Sequence, residues 1–314
     1  MSEVKFVEVP EDYAGQRLDN FLLARLKGVP KSVIYRVIRK GEVRVNKGRA
    51  KPDRKLVGGD WVRIPPIKTK EVESVTPSQG LIKVLDDSVL FDDKGLLIIN
   101  KPSGLAVHGG SGIDVGLIEA LRQAYNAPFL ELVHRLDRDT SGCVMVARKR
   151  SVLKHLQEAL RQKGVIQKHY LAVVAGRWPK HITQVDAPLK RCEYPNGERI
   201  VRVHSEGKAS VTEFKVLHYF DDCTLVAAKP LTGRTHQIRV HALHVGHSLV
   251  GDEKYTPVEI NKAFRARGLK RLCLHAFGLQ LRFAEGEPLS VRAPLPAEIR
   301  QPLLAMGLPE DLPC

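Results

Sequence analysis

The sequence predicts an α+β protein of two domains, and three observations lead to that prediction. The chain has 314 residues, about twice the usual length of a single domain. Segments with helical apolar spacing mix with alternating segments, without the regular strand–helix rhythm of a parallel sheet. A polar, proline-containing segment over 66–83 predicts a linker. It divides a small N-terminal domain, 1–75 with its core at about 15–65, from a larger domain, 84–314.

The charge balance indicates a polyanionic partner. The chain holds 50 Lys and Arg against 35 Asp and Glu, a net charge of +15, and residues 31–55 alone hold ten basic and two acidic residues. No apolar run is long enough to span a bilayer, and the N-terminus lacks the pattern of a secretory signal. We therefore expect nucleic acid rather than a membrane as the partner. Five scattered cysteines without a C-x-x-C pair predict a reduced, cytoplasmic protein.

The N-terminal domain is predicted to begin with two helices. The apolar residues of the first recur three and four positions apart: Leu18, Phe21, Leu22 and Leu26. A second helix is predicted over Lys31–Lys40, with Gly41 at its end. Alternation then predicts a strand at Val43–Val45, a turn at Asn46–Gly48 and a strand at Asp60–Ile64.

Basic residues collect on the outer face of the second helix and on the hairpin after it. They are Lys31, Arg36, Arg39, Lys40, Arg44 and Lys47. A solvated basic face is the alternative, but their grouping in a compact unit favours nucleic-acid binding. Gly15–Asp19, the basic helix, Val43–Asn46 and Gly59–Ile64 resemble the RNA-binding domain named after small-subunit ribosomal protein four, the S-four domain. That resemblance implies that these six residues contact RNA.

The larger domain is predicted to mix strands with helices. Its first strand is the apolar run Leu96–Ile99. Further strands are predicted at Val144–Ala147, Tyr170–Ala175, Val211–Leu217 and Thr224–Ala228. Helices are predicted at Val115–Tyr125, Val152–Lys163 and His236–Val245. These elements follow no βαβ repeat, which is typical of an α+β domain.

Common cofactor and hydrolase motifs are absent from the sequence. It contains no P-loop, G-x-G-x-x-G, H-E-x-x-H or G-x-S-x-G motif. Four histidines cluster at His236, His241, His244 and His247, so a metal site is conceivable. No carboxylate or cysteine stands at a suitable spacing beside them. We therefore expect RNA contacts or ordinary hydrogen bonds, and no metal.

One segment combines opposite charges in a way that suggests chemistry. Val133–Gly142 places two carboxylates among two arginines and a histidine, just before an apolar strand. A carboxylate kept ionised by neighbouring cations can act as a nucleophile or a base, while a salt-bridged turn is the alternative. Asn100–His108 and Leu231–His241 are two further polar segments that follow strands. For the second of these, a solvated helix N-terminus is the alternative.

Together these segments resemble the motifs of the RluA-type pseudouridine synthases. The likeness is carried by His134–Gly142, Gly233–His241, Lys168–Ala172 and Leu272–Ala276. It covers nearly the whole chain. It implies a mixed, mainly antiparallel sheet flanked by helices and loops. It also implies isomerisation of uridine in RNA to pseudouridine, with no cofactor and no metal.

Two stretches point to a branch of this family that acts on large-subunit ribosomal RNA. They are Val107–Gly112 and Gly197–Val203, and Arg138–Asp139 fits the same branch. Val250–Tyr255 departs from the pattern, in a stretch that varies between branches. The branch implies large-subunit ribosomal RNA as the partner. Nothing in the sequence marks an oligomer interface, so we expect a monomer by default.

The resemblance assigns roles to individual residues. Asp137 matches the catalytic aspartate, and Asp139 lies outside the motif position. Arg234 matches the arginine that pairs with this aspartate, and Tyr170 the tyrosine that stacks on the base and helps remove the C5 proton. Four further residues are expected to contact the substrate: Arg135, which aids extrusion, Leu274, an apolar wall for uracil, His134 and Thr140.

Two other functions stay open at this point. A non-catalytic RNA-binding or ribosome-assembly protein would also need the basic N-terminal domain, although it would not need Asp137, Tyr170 and Arg234. The same chemistry could act on transfer RNA or on a different ribosomal site, because the target depends on the shape of the RNA.

Overall fold

The structure is a computed structural model that describes residues 3–26, 28–67, 77–109, 115–127, 129–194, 197–283 and 287–310. The chain divides into two compact units, Met1–Val75 and Thr76–Cys314. Half of the expected linker, 68–76, lies outside the described residues, as do the last three residues of the Val107–Gly112 stretch.

The predicted linker, 66–83, includes the first residues of a helix, so its C-terminal boundary is placed too late in the chain. A helix occupies Gln79–Asp86, and the Ser78 hydroxyl accepts the Leu81 N–H at 3.2 Å as its N-cap. The Pro-Ser pair that suggests a loop therefore marks a helix start, because a serine oxygen can satisfy a free N–H of the first turn. Leu85 of this helix is fully buried in the core of the second unit.

The N-terminal unit packs two helices against a four-stranded sheet. Its elements are β1 (Lys5–Glu8), a short 3-10 helix (Glu11–Tyr13), α1 (Leu18–Arg25), α2 (Lys31–Arg39), β2 (Arg44–Val45), β3 (Gly48–Arg49) and β4 (Trp61–Ile64). The strands pair antiparallel in the order β1-β4-β2-β3. Asn46 and Lys47 connect β2 to β3, both with positive φ (50° and 66°), as a two-residue hairpin turn of type I′ requires.

The core of this unit lies between the helices and one face of the sheet. The helices contribute the buried residues Leu18, Phe21, Leu22, Ile34, Val37 and Ile38, and the sheet contributes Val45, Val62 and Ile64. Each such side chain contributes about 1.5–3 kcal/mol by leaving water. The helical spacing in the sequence predicts these helix residues, whereas β1 is not among the predicted elements.

The second unit holds the remaining elements. They are α3 (Gln79–Asp86), β5 (Val89–Asp92), β6 (Leu96–Lys101), α4 (Leu117–Ala124), β7 (Glu131–Leu132), β8 (Ser141–Ala147), α5 (Arg150–Ala159), β9 (Ile166–Ala175), β10 (Gln184–Asp186), β11 (Leu189–Glu193), β12 (Arg199–Val203), β13 (Val211–Tyr219), β14 (Cys223–Pro230), α6 (Gln237–His244), α7 (Val258–Ala266), β15 (Leu274–Leu281), β16 (Leu289–Arg292) and α8 (Ala297–Ala305).

A large mixed sheet organises this unit. Its main path is β10-β13-β14-β9-β15-β8-β6-β5, with β16 beside β15 and β7 beside β8, while β11 and β12 form a separate hairpin. The β15–β8 pair is parallel, and the other pairs given for this sheet are antiparallel. The expected α+β class with a mainly antiparallel sheet is therefore confirmed.

The parallel pair at the centre depends on a close approach of two backbones. Gly142 has φ +110°, and a Cβ atom there would lie 2.3 Å from the Ala276 carbonyl oxygen. Beside it, the buried His275 contacts the Ser141 hydroxyl at 2.9 Å through Nδ1. Burial lowers the pKa of His275 to about 4, so the ring stays neutral. The Ser-Gly pair of the motif therefore fixes the start of β8.

The strand β9 begins four residues before the predicted position. Its first half contains Lys168 and His169, whose polar side chains hide the strand pattern in the sequence. His169 nevertheless pairs with Gly278 of β15, and Tyr170 pairs with Ala228 of β14. Lys168 and Tyr170 both line a cleft, which explains polar residues in a central strand.

Candidate active site

Three segments that are far apart in the sequence line one cleft of the second unit. They are the loop 133–140 between β7 and β8, the first half of β9, and the turn 231–236 that leads into α6. The cleft has a volume of about 1130 Å³. Asp137 and Tyr170, two of the predicted site residues, both lie on its wall.

A buried lysine fixes the loop that carries Asp137. Lys101 has no exposed surface, and its Nζ donates to the carbonyl oxygens of Pro102 (2.8 Å), Leu105 (2.8 Å) and Arg138 (2.9 Å). Burial, reinforced by the charge of Arg271, lowers the pKa of Lys101 to about 7. The three acceptors match the three N–H groups of the ammonium form. Lys101 thus joins two loops next to Asp137.

The guanidinium that pairs with Asp137 belongs to Arg239. Its NH1 lies 3.0 Å from Oδ2 of Asp137, whose side chain is 30% exposed. Arg234 instead donates from Nε to the Ala209 carbonyl at 3.1 Å. The predicted pairing of Arg234 with Asp137 is therefore wrong. The physical reason is that Arg234 lies in the turn before α6, where Gln237 Oε1 accepts its N–H at 3.0 Å, whereas Arg239 lies within the helix.

A second carboxylate holds Arg239 in place. Asp252 is fully buried and accepts two hydrogen bonds from Arg239, from Nε at 2.6 Å and from NH2 at 2.8 Å. Burial opposes the charge of Arg239, but Asp252 and then Asp137 outweigh it and raise the pKa of Arg239 above its usual value. Because two sides of the guanidinium are occupied by Asp252, its remaining edge is aimed at Asp137.

A histidine in a strained backbone conformation also faces Asp137. His236 has φ 53°, and its Nε2 lies 3.8 Å from Asp137 Oδ2. The Tyr255 hydroxyl lies 2.7 Å from His236 Nδ1 and accepts the Val201 N–H at 3.0 Å. A Tyr255 hydroxyl that accepts from Val201 can donate its own proton to Nδ1, and in that arrangement the imidazole proton is on Nε2. Burial lowers the pKa of His236, so the ring is neutral.

An aromatic ring and an apolar side chain complete the cleft. Tyr170 is 8% exposed, and Leu274 lies at the start of β15, in register with Ala172 of β9. Burial, and next the charge of Asp137, raise the pKa of Tyr170 above its usual value, so the phenol stays protonated at neutral pH. A flat base could lie against these two side chains beside Asp137.

Comparisons with known proteins show which family the chain resembles. Residues 95–244 match the model of the RNA pseudouridylate synthase family, and residues 16–62 match the S4 domain. The chain is 54% identical over 307 residues to the ribosomal large subunit pseudouridine synthase C of Yersinia pestis, covering 96% of both chains. It is 52% identical over 298 residues to that of Escherichia coli K12, covering 93% of both.

The chain belongs to the RNA pseudouridylate synthase family. A solved structure, human RNA pseudouridylate synthase domain containing 4, has a TM-score of 0.59 and 27% identity over 72% of this chain and 95% of that chain. The protein is therefore a pseudouridine synthase with an N-terminal S4 domain.

The other predicted residues of the synthase motif take different positions. Arg135 is exposed on the cleft wall, whereas Thr140 is 2% exposed and donates its N–H to the Asp137 carbonyl at 3.2 Å. His134 Nε2 accepts the Met145 N–H at 3.2 Å, and burial lowers the pKa of His134 to about 3. Asp139 forms a 3.1 Å ion pair with Arg138 on the surface. Asp137 rather than Asp139 therefore lines the cleft.

Cations surround the cleft of the synthase. Its lining includes Arg135, Arg161, Lys163, Arg191, Lys229, Arg234 and Arg239. Such a concentration of positive charge suits the phosphates of an RNA strand. In the N-terminal unit, the predicted RNA-binding residues separate into two groups, Lys31, Arg36, Arg39 and Lys40 on or next to α2 and Arg44 and Lys47 at the hairpin.

Two members of the histidine cluster have ordinary structural roles. His241 is fully buried between the Thr212 hydroxyl (2.9 Å) and the Ala187 carbonyl (3.0 Å), and His247 contacts the Ala175 carbonyl at 2.8 Å. Among the described residues, no three His, Cys, Asp or Glu side chains are grouped to hold a metal ion. In the same part of the chain, no helix has the length and apolar character to cross a membrane.

Four functional side chains escape prediction from the sequence: Lys101, Arg239, Asp252 and Tyr255. Lys101 and Arg239 lie within motifs that the sequence does reveal, but nothing in those motifs distinguishes them from their neighbours. Asp252 and Tyr255 lie in Val250–Tyr255, the stretch that departs from the expected pattern. An acidic residue and an aromatic residue three positions apart are too common a pattern to predict contacts with α6.

Proposed function

We propose that this synthase isomerises uridines of large-subunit ribosomal RNA, with Asp137 as the group that acts on the target nucleotide. The observation that carries the proposal is the Asp137–Arg239 pair at 3.0 Å in a cleft lined by cations. The relatives that are 52–54% identical across both units bear the name ribosomal large subunit pseudouridine synthase C. Likeness over the full chain supports a shared class of RNA substrate.

The reaction needs an ionised carboxylate beside the sugar and the base. The N1–C1′ bond breaks, the uracil turns, C5 joins C1′, and the proton on C5 is replaced by one on N1. An anionic Asp137 can attack the nucleotide or remove the C2′ proton, and both routes begin from the same carboxylate. Arg239 stabilises that anion by its ion pair, and the neutral His236 offers an N–H toward it.

Tyr170 and Leu274 suit the task of holding the loosened uracil. An aromatic face can stack on the base while an aliphatic side chain closes the opposite side. The raised pKa of Tyr170 makes its phenol a poor acceptor for the C5 proton at neutral pH. We therefore assign Tyr170 to stacking, and not to the removal of that proton.

The target uridine must leave its helix or loop before it reaches Asp137. Extrusion costs a few kcal/mol and is easiest in loops and bulges. Arg135 is exposed on the cleft wall, where it can enter the space that the base vacates. The S4 domain supplies further affinity through the basic face of α2, so binding should weaken steeply with salt.

The remaining features of the proposal concern what the synthase needs and where it acts. We propose a monomer that works in the cytoplasm without a cofactor or a metal. The four described cysteines are free thiols, as expected for a reducing compartment.

The experiment compares two unmodified RNAs, large-subunit ribosomal RNA and transfer RNA. The purified protein is incubated with each, without ATP and with EDTA, and pseudouridines are mapped by carbodiimide modification and primer extension. We expect stops at discrete positions in ribosomal RNA, and none with Asp137→Asn. Stops in transfer RNA alone would contradict the proposed substrate. Salt-sensitive binding without any stops would indicate a non-catalytic RNA-binding protein.

A further inference from the structure

The outer face of the four-stranded sheet in the N-terminal unit exposes two large aromatic side chains. The helices cover only the inner face, where Val45, Val62 and Ile64 are buried. The residues that alternate with them point to solvent. Phe6 is 62% exposed and Trp61 is 51% exposed in the whole chain.

The strand register places arginines beside these rings. Phe6 of β1 lies opposite Arg63 of β4, Arg63 lies opposite Arg44 of β2, and Arg44 lies opposite Arg49 of β3. One aromatic ring and three guanidiniums thus form a single row across the sheet. Trp61 is two residues from Arg63 on the same strand and lies diagonal to Phe6, at a spacing of about 7–8 Å. Consecutive bases of a single strand can span that spacing.

The arginines of the row keep N–H groups for a ligand. Arg63 donates from NH1 to the Glu42 carbonyl at 2.6 Å. Arg44 donates to the Gly41 carbonyl at 3.3 Å and to the Lys47 carbonyl at 3.4 Å. A guanidinium has five N–H groups, so each arginine retains several. Glu8, opposite Trp61, is the acidic residue on the same face, which leaves the row with a net positive charge.

We propose that this face binds an unpaired segment of RNA. Successive bases stack on Phe6 and Trp61, and the phosphate between them contacts Arg63 and Arg44. Charge complementarity selects a polyanion, and the exposed rings select one whose bases are free to stack. A duplex keeps its base faces covered and cannot use the rings. The face is separate from the basic side of α2 and from the Asp137 cleft, and the proposal does not rest on the chemistry at Asp137.

Trp61 itself reports on this contact. The chain has two tryptophans, and the other, Trp178, is 1% exposed. The probe is single-stranded hexaadenylate, which contains no uridine and therefore cannot be a substrate. We expect it to quench the emission of Trp61 in the full-length protein. A guanine–cytosine duplex that is long enough to stay paired should quench it much less.

Substitutions separate stacking from simple apolar contact. Trp61→Phe keeps an aromatic face, so affinity for hexaadenylate should stay within about threefold while the quenching disappears. Trp61→Leu and Phe6→Leu keep apolar bulk without a π face, and each should weaken binding by about fivefold or more. Val258→Ala is the matched control, because Val258 is 75% exposed in α7 of the other unit. It should bind like the wild type.

Three results would overturn the proposal. They are an absence of quenching, equal quenching by the duplex, and wild-type affinity in both leucine variants. The last result would indicate a protein partner for the apolar surface. Thermal melts followed by circular dichroism, compared with the wild type, check that the N-terminal unit of each variant is folded. Pseudouridine formation by Trp61→Leu on a short uridine-containing stem-loop, measured alongside, reports the chemistry at Asp137 separately.

Discussion

Arg239 and Arg234 lie in the same sequence motif, and their lysine variants test which of them supports Asp137. Arg239→Lys keeps a positive charge near Asp252, but an ammonium cannot hold two Asp252 oxygens and also reach Asp137. The bond at risk is the 3.0 Å contact between Arg239 NH1 and Asp137 Oδ2. Arg234→Lys is the matched control, because the Arg234 side chain donates to the Ala209 carbonyl and not to Asp137.

The structure sets the size of the expected effect. A charge-assisted hydrogen bond contributes about 1.5–3 kcal/mol, and we take about 2 kcal/mol because Asp137 is partly exposed. At about 1.4 kcal/mol per factor of ten, Arg239→Lys should slow isomerisation about 30-fold. Arg234→Lys should slow it less than about fivefold, because lysine keeps the positive charge and the bond to the Ala209 carbonyl does not involve Asp137.

The assay measures tritium released from RNA that contains 5-³H-uridine, under single-turnover conditions. Formation of the C5–C1′ bond releases that hydrogen to water, so the rate follows the chemistry. Filter binding measures RNA affinity separately, and it should change little because Arg239 is 10% exposed. Equal rates for the two variants, or a slower Arg234→Lys, would refute the assignment of Arg239 as the partner of Asp137.

Three further predictions concern the residues that support the site. Gly142→Ala should lower the unfolding free energy by roughly 3 kcal/mol or more, because the added Cβ would meet a carbonyl oxygen. Gly164→Ala should lower it by only about 1 kcal/mol in the same thermal melts, because Gly164 has a positive φ but open space around it. Lys101→Met should lower the unfolding free energy in urea by about 3 kcal/mol, because it removes the three hydrogen bonds of the buried ammonium. Lys94→Met on the surface should be neutral, and equal losses would contradict this. Burial lowers the pKa of His275 from 6.5 to about 4, so folding favours the neutral ring. The contribution of His275 to the free energy of unfolding is therefore complete above pH 6.5 and declines as the pH falls toward 4. Between pH 7 and pH 5 it should decline by about 2 kcal/mol. His275→Gln should remove that part of the pH dependence, and an unchanged pH slope of the urea midpoint would contradict it.

The sequence is sufficient for the features that depend on local patterns. Helical spacing predicts α1 and α2, and the Asn46 turn predicts the β2–β3 hairpin. The charged motif before an apolar strand predicts a site with two carboxylates, its resemblance to the synthase family selects Asp137, and Asp137 lies on the cleft wall. These signals are local because a helix face, a hairpin turn or a short motif is encoded by residues within about ten positions.

The pairings around Asp137 depend on contacts between distant segments. The partner of Arg239 is 13 residues later in the chain, and the Arg138 carbonyl that Lys101 holds is 37 residues later. Arg234 and Arg239 are the same residue type in one motif, so the sequence does not distinguish them. Helix α6 begins between them, and this decides which of the two faces Asp137. The start of β9 could not be predicted for a similar reason, because Lys168 lines the cleft and its polar side chain interrupts the apolar pattern of the strand.

The most direct test of the central claim compares Asp137→Asn with Asp139→Asn in the tritium-release assay. Both variants lose one negative charge from the same loop, but Asp137 lines the cleft and Asp139 pairs with Arg138 at the surface. We expect Asp137→Asn to release no tritium above background while it keeps its affinity for RNA. We expect Asp139→Asn to react at a rate within about fivefold of the wild type, since exposed ion pairs contribute about 1 kcal/mol or less. Wild-type release by Asp137→Asn, or an equal loss in Asp139→Asn, would contradict the account.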